Sequence, residues 1–381
     1  MKVAVLGYGT VGYGVYEMLK KAPGFEAGPV LVRPGKADAD FKVSSIEDII
    51  NDESIDAVAE VMGGIEPAYS YAAKVLASGK HFVTSNKALV AAKGIELAAI
   101  AEAHGCAFLF SAACGGAVPF LHNIALAAES DSILSLSGIL NGTTNFMLDG
   151  MQSEGADYPE ILKKAQELGY AEADPTADVS GLDALRKIML ACAVAYGKLP
   201  VEGLAHEGIE SITAEDVKQF QSMGLTCRLI VSGGPAGESV YANVEPVLFK
   251  ADAPECSVKK NFNMAKYVGE NSGLIVYMGQ GAGRYPTASA VLRDLSDIAH
   301  GKRTMMSPGV KAVKADNSSC CHRYYVRCAA DIAGSFEFDE CIPCGDTAVI
   351  ITAPLSVDKM HSKAAEIRAA GGSIFFAAIG E

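Results

Sequence analysis

The sequence predicts an α/β chain: a doubly wound parallel sheet at the N-terminus, an α+β region after it, and a short module of strands around one helix at the end. Three observations carry this. Short apolar runs alternate with longer amphipathic ones through the first third, a glycine cluster follows the first run directly, and the rhythm changes after Pro119. The apolar runs at 3–6, 30–32, 57–61, 81–84 and 107–110 have strand length. The stretches between them, such as 11–21 and 68–78, carry apolar residues at helical spacing. Strands joined through helices are crossovers, and crossovers make neighbouring strands parallel.

After Pro119 a helix-like run leads into 133–140, which alternates as a half-buried strand does. Helices are expected at 158–168 and from about 181 to 196. Residues 233–237 (Gly-Gly-Pro-Ala-Gly) read as a turn between strands, and 279–283 as a second glycine loop. The tail gives strand, strand, helix, strand at 324–327, 347–353, 357–370 and 373–378.

Composition excludes several classes. The net charge is −13, from 32 basic and 45 acidic residues. Nucleic acid is therefore not expected as a partner, because binding it rests on neutralising phosphates with Lys and Arg. No apolar run approaches the roughly 20 residues of a membrane span, so no membrane contact and a cytoplasmic protein are expected. Ten cysteines in such a chain argue for thiols over a disulfide scaffold. Cys341-Ile-Pro-Cys344 lacks the second pair that a zinc site would need, so buried or idle thiols are expected.

Gly7-Tyr8-Gly9-Thr10-Val11-Gly12 is a G-x-G-x-x-G placed after a strand and before an amphipathic helix. Glycines there let the backbone turn tightly and approach a pyrophosphate on the positive end of the helix. The first domain is thus read as a dinucleotide-binding Rossmann fold. At the end of the second strand an acidic residue would bind the ribose of NAD. Here Arg33 stands there, with Lys36 close behind and no carboxylate until Asp38. A guanidinium suits a 2′-phosphate, so NADP is expected ahead of NAD, with NAD left open.

Longer segments resemble homoserine dehydrogenases. They are Glu60-Val-Met-Gly-Gly-Ile-Glu-Pro-Ala68, Thr84-Ser-Asn-Lys-Ala-Leu-Val-Ala91 and Gly138-Ile-Leu-Asn-Gly-Thr-Thr-Asn-Phe146. Two more are the run from Gly169 to Lys187 and Gly281-Ala-Gly-Arg-Tyr-Pro-Thr-Ala-Ser-Ala-Val291. The resemblance implies a Rossmann domain over 1–130 with a returning helix at 285–310, and a substrate and dimerisation domain over 131–284. It also implies hydride transfer between NAD(P)H and a small-molecule substrate, interconverting L-aspartate 4-semialdehyde and L-homoserine for threonine and methionine synthesis. The assembly would be a homodimer or homotetramer.

Site residues follow from the same resemblance. Lys187 would donate the proton, and Asp183 four residues earlier would favour its charged form. On pattern alone Ser180 and Asp183 form a capping box, and Asp183–Lys187 an ordinary ion pair. Glu172 and Asp183 would hold the substrate's polar groups, Thr143 and Gly142 would line its pocket, and Asp178 would support them. Lys87 would stand near nicotinamide and substrate, as a catalytic residue and cofactor contact. Thr84, Ser85 and Asn86 would border the nicotinamide ribose. Gly63, Gly169 and Gly283 would approach the cofactor by backbone, beside Gly7, Gly9, Thr10, Val11, Gly12 and Arg33.

Two segments depart from the family. Relatives place a glutamate ahead of a monovalent-cation loop, whereas this chain has Ser111-Ala-Ala-Cys-Gly-Gly-Ala-Val-Pro119. Carbonyls of Cys114, Gly116 and Val118 would be the remaining ligands for sodium or potassium, on a weakened site. Residues 320–381 resemble a shortened ACT module in which the first helix is missing, so threonine regulation does not carry over. The rival enzyme is a phosphorylating aspartate-semialdehyde dehydrogenase using Cys114 as nucleophile. A rival of another class is a non-catalytic nucleotide-binding sensor.

Overall fold

The computed structural model describes residues 1–36, 38–306 and 309–380. The chain divides into two compact units. One comprises 1–133, 189–199 and 279–312; the other comprises 134–188, 200–278 and 313–381.

The first unit opens with β1 (Lys2–Leu6), α1 (Thr10–Leu19), β2 (Glu26–Leu31), β3 (Lys42–Val43), α2 (Glu47–Ile50), β4 (Ala57–Glu60), α3 (Ala68–Ala77), β5 (His81–Thr84), α4 (Lys87–Ala103), β6 (Phe108–Leu109) and α5 (Phe120–Ala127). The six strands form one sheet in the order β3-β2-β1-β4-β5-β6, and every neighbouring pair is parallel. The order reverses at β1, which places the glycine loop at the switch point where ligands of doubly wound folds bind. Val3–Leu6 and Ala57–Ala59 are wholly buried. Helices on both faces demand such continuous apolar strands. The expected strand at 107–110 contracts to Phe108–Leu109.

The chain continues with β7 (Ile133–Ile139), α6 (Gly142–Glu154), α7 (Tyr158–Glu167), α8 (Thr176–Val179), α9 (Leu182–Tyr196), β8 (Lys198–Glu202), β9 (Ala205–His206), α10 (Ala214–Ser222), β10 (Leu225–Ala236), β11 (Ser239–Lys250), β12 (Phe262–Gly269) and β13 (Gly273–Gln280). The chain re-enters the first unit as α11 (Arg284–Ala299). It ends with β14 (Lys311–Lys314), β15 (Cys321–His322), β16 (Tyr324–Ala329), α12 (Ala330–Ala333), β17 (Phe338–Cys344), β18 (Thr347–Thr352), β19 (Leu355–Ser356), α13 (Val357–Ala369) and β20 (Ile374–Ile379).

The turn expected at 233–237 is shorter than its composition suggests. β10 runs through Ala236, which pairs with Ser239, so the bend falls on Gly237 (φ +57°) and Glu238. Gly234 stays in the strand because the Tyr241 ring lies across it; a Cβ there would meet the ring at 2.6 Å.

The tail is not a separate sheet. One ten-stranded sheet runs β13-β12-β7-β10-β11-β20-β16-β18-β17, with β9 also on β11. β16, α12, β17, β18, α13 and β20 keep the βαββαβ order of an ACT module, but α12 is a single turn. After this turn, residues Phe338–Cys344 form a strand, β17, paired with β18. Tyr324, Phe336, Met360 and Phe376 fill the core beneath. Among the described residues no helix is long and apolar enough to cross a membrane.

Candidate active site

Gly7 turns the chain at the end of β1 with φ +99° and donates its N–H to Leu31 O (3.0 Å). A Cβ on Gly12 would stand 2.1 Å from Gly7 O, and one on Gly7 would stand 2.9 Å from Met62 Cγ. Those two glycines let α1 start this close to the sheet. At Gly9, the N-cap, a Cβ would meet no protein atom within 4 Å. The backbone is thus bare where the first N–H groups of α1 converge, with Thr10 and Val11 opening the helix. Such a cradle fits a pyrophosphate.

Arg33 is exposed just beyond β2. Sequence reasoning missed its neighbour Lys42, which β3 pairs against Val30 of β2. Lys42 Nζ lies 5.1 Å from the Tyr8 ring centroid and 2.5 Å from Asp38 Oδ1. Asp38, the first carboxylate after β2, is therefore engaged, and Lys42 holds its carboxyl below the usual carboxylate range. No local pattern announces a two-residue strand, so only the fold reveals this cation.

At the ends of β4 and β5, Glu60 locks the loops together. Its wholly buried carboxylate accepts N–H of Met62 (2.7 Å) and Gly63 (3.3 Å) and the hydroxyl of Thr84 (2.5 Å). Burial nonetheless raises its carboxyl above the ordinary range. Asn86 donates to Gly64 O (2.5 Å), and its side-chain oxygen caps α4 by accepting from Leu89 N (3.1 Å). Ser85 N bonds Glu60 O, and Lys87 is the half-buried first residue of α4. These residues share one edge of the sheet, the C-terminal one.

In the second unit Asn141, the N-cap of α6, gathers the carboxylates. Its Nδ2 donates to Asp178 Oδ1 (2.7 Å) and Asp183 Oδ2 (2.9 Å), while its Oδ1 accepts from Thr144 N (2.9 Å). Thr143 Oγ1 donates to Tyr170 O (2.6 Å) and to Asp178 Oδ2 (3.3 Å). Lys187 Nζ donates to Leu140 O (2.6 Å) and pairs with Asp183 Oδ2 (2.7 Å), both side chains being only 11% exposed. Burial is the main cause raising the Asp178 carboxyl, with Asp183 adding to it. Gly142 has no alternative: a Cβ would meet Asn261 O at 2.6 Å. Asn141 went unassigned at the sequence level although Asn-x-x-Thr before a helix is a capping signal. The capping box expected at Ser180 does not form at α9. The helix starts at Leu182, and Ser180 closes α8 one residue too early.

Glu172 and Gly169 are not drawn into this cluster. Glu172 is exposed, its carbonyl accepting from Gln166 Nε2 (3.2 Å). Gly169 (φ +74°) follows the C-cap of α7 in the left-handed conformation that glycine supplies.

Comparison with known proteins bears on this geometry. The profile described as Homoserine dehydrogenase, NAD binding domain matches residues 7–111, and Homoserine dehydrogenase matches 119–296. The homoserine dehydrogenase of Synechocystis is 38% identical over 349 residues, 85% of this chain and 78% of the relative. That of Bacillus subtilis is 36% identical over 319 residues, 80% and 74% of the two chains. A solved homoserine dehydrogenase from Thiobacillus denitrificans superposes with a TM-score of 0.89 at 30% identity, covering 100% of this chain and 98% of its own. The chain belongs to the homoserine dehydrogenase family. It is an NAD(P)-dependent oxidoreductase with a nucleotide-binding domain and a second, sheet-rich domain.

Within this homoserine dehydrogenase the cation loop is held by other means. Ser111 N donates to Asp294 Oδ2 (2.8 Å) and Ser111 Oγ to Asp294 Oδ1. Val118 O already accepts from Phe120 N, and Arg293 donates to Ala117 O (3.2 Å). A guanidinium bonded to this loop would oppose a sodium or potassium ion there by charge repulsion. Among the described residues no group of His, Cys, Asp or Glu is placed to hold a metal. Cys341 and Cys344 sit opposite Ile350 and Thr347 on β17. Three residues apart in a strand, they point to opposite faces and cannot chelate together. Cys114, the rival nucleophile, is buried.

Asp294 supplies a pH test. Complete burial pushes its carboxyl from 3.8 up to about 7. The folded chain therefore binds this proton more tightly than the unfolded chain, and stability falls as pH rises from about 4 to about 7. Asp294→Asn should gain thermal stability relative to wild type between pH 5 and pH 8, read from melting curves at both. A difference that stays flat or narrows would contradict the assignment.

Proposed function

We propose that this homoserine dehydrogenase reduces L-aspartate 4-semialdehyde to L-homoserine with NADPH, Lys187 supplying the proton to the forming alkoxide. One observation carries this: an ammonium that is almost fully buried, aimed by Leu140 O and Asp183, beside carboxylates gathered by one asparagine. A bound dinucleotide would supply the hydride. Lys187 holds a proton at Nζ and can release it to an oxygen that gains negative charge. Asp183 and Asp178 present acceptor oxygens to the substrate's ammonium, with Glu172 as a further carboxylate and Thr143 and Gly142 at the wall. Lys87 contributes a second ammonium at the nicotinamide end of the nucleotide fold. Gly7, Gly9, Thr10, Val11 and Gly12 would hold the pyrophosphate. Gly63, Thr84, Ser85, Asn86, Gly169 and Gly283 would border the rest of the cofactor.

Arg33 and Lys42 support NADP over NAD, because two cations beside β2 complement a 2′-phosphate. Arg33→Ala should lower kcat/KM roughly 10-fold with NADPH and little with NADH, about the worth of one charge-assisted contact. Equal losses with both cofactors would remove Arg33 from that role. Consumption of NADPH with aspartate semialdehyde, and the absence of any phosphate-dependent oxidation of that aldehyde, tests the activity itself. Thiol blockade sparing turnover would exclude the Cys114 rival, and cofactor binding without turnover would favour the sensor.

The pathway place follows from the product, a precursor of threonine and methionine, and a cytoplasmic setting suits it. Leu134, Phe262, Leu274, Val276 and Met278 are 38–58% exposed on β7, β12 and β13, three adjacent strands. Large apolar side chains left exposed on adjacent strands support pairing of two copies through this sheet. Mass in solution should be a multiple of 39.7 kDa, and a monomer at working concentration would refute it.

A further inference from the structure

We propose that Arg368, in the C-terminal module, is a positioning residue for the catalytic helix α9, acting through Glu207. The inference rests on the role given above to Lys187. Three buried carboxylates of the central region each accept hydrogen bonds from the tail. Asp216 accepts from Arg327 Nε (2.8 Å) and Tyr325 OH (3.0 Å), and Glu245 from His361 Nε2 (2.9 Å) and Tyr324 OH (3.3 Å). Glu207 accepts both arms of the Arg368 guanidinium, Nη1 at 2.9 Å and Nη2 at 2.7 Å. These carboxylates are 1%, 2% and 7% exposed. Glu207 and Glu245 would lose these partners if the tail let go, whereas Asp216 would keep the N–H and hydroxyl of Thr213.

Of the three, Glu207 packs its own backbone on the segment that enters the active-site helix. Its carbonyl would stand 3.3 Å from a Cβ on Gly181, the residue before α9, whose φ is +84°. A Cβ on Gly208 would stand 2.2 Å from Val179 O, and Ile209 N donates to that same carbonyl (2.8 Å). Glu207 N is fixed in turn to Val244 O (2.8 Å). Residues 207–209 therefore lie backbone against backbone on residues 179–181. That segment joins Asp178 to the first turn of α9, which carries Asp183. Two glycines make the contact too close to absorb a shift of the loop. Displacing Glu207 would tilt the start of α9 and move Asp183 and Lys187 relative to Leu140 O. The bidentate guanidinium fixes Glu207 in both position and orientation, which a single ammonium would not do.

The test compares two tail arginines in the full-length protein. Arg368→Met and Arg327→Met each take the guanidinium from a buried carboxylate, but only the first does so under α9. Well below both melting temperatures, Arg368→Met should lower kcat about 10-fold and raise KM for the semialdehyde, leaving KM for NADPH unchanged. Sub-ångström to ångström misplacement of a catalytic group costs rates of that order. Arg327→Met should lose comparable thermal stability with kcat within about twofold of wild type. Unchanged kcat in Arg368→Met, or equal kcat losses in both variants, would overturn the proposal. If Arg368→Met does not accumulate as folded protein, Arg368→Lys carries the test: a severalfold drop in kcat is expected, and a wild-type kcat overturns it. A Lys187→Met variant of normal rate would remove the catalytic reading instead, so the two failures are distinct.

Discussion

Lys187→Met should lower turnover by roughly 10²-fold or more, the contribution expected of a positioned general acid. Cofactor binding should change little, because the residue lies outside the glycine loop that would hold the pyrophosphate. Methionine keeps the length and apolar stem, so packing on α9 is largely preserved and the lost function is the proton. The competing account is a structural ion pair, and the geometry allows the two to be separated. Lys187 is 2.7 Å from Asp183 and 2.6 Å from Leu140 O, so its removal also leaves a largely buried carboxylate short of a cation. If that stranded charge were the whole effect, adding Asp183→Asn would restore the rate. A proton donor cannot be restored this way, and the double variant should stay at least as slow as the single one. Single-turnover measurement at saturating NADPH reads the chemical step directly. A single variant near the normal rate, or a double variant that recovers, rejects the role.

The nucleotide half was legible because its signals are local. A four-residue apolar run, three glycines at fixed spacing and a helix-forming stretch lie next to each other in sequence, and the structure needs little else to make the cradle. Helix α9 was legible for the same reason, since Asp183 and Lys187 share a face at i,i+4. What stayed hidden depends on partners far away along the chain. Nothing near Asn141 says that it will hold Asp178 and Asp183, because their meeting requires α6, α8 and α9 to be brought together. Asp294 is a helix residue of no distinction until its buried carboxyl is seen bonded to Ser111, 183 positions earlier. The glycines at 233–234 read as a turn because composition cannot show an aromatic ring lying across a strand. In the tail, β17 is exposed along its whole length and forms only by pairing with β18. An edge strand of that kind has no hydrophobic alternation to announce it.

Gly12→Ala and Gly9→Ala should both weaken the cofactor but by different routes. At Gly12 the new Cβ would fall 2.1 Å from Gly7 O, a backbone atom that cannot swing aside. Either α1 backs away from β1 or the loop unfolds. We expect thermal stability to fall by about 1–3 kcal/mol, the usual cost of overpacking a tight site, and affinity for NADPH to fall by about 10²-fold or more as the helix N-terminus leaves the pyrophosphate. At Gly9 the Cβ would meet nothing of the protein within 4 Å, and φ of −79° suits alanine. Stability should hold or rise slightly, since alanine restricts the unfolded chain more than glycine does. Any loss of NADPH affinity there comes from the methyl group standing where the phosphates approach the bare backbone. Melting temperature and dissociation constant, measured on the same two variants, thus separate glycines that build the fold from the one kept clear for a ligand. Gly9→Ala with full affinity would place the pyrophosphate elsewhere, and Gly12→Ala with wild-type stability would mean that α1 does not pack against Gly7 so closely.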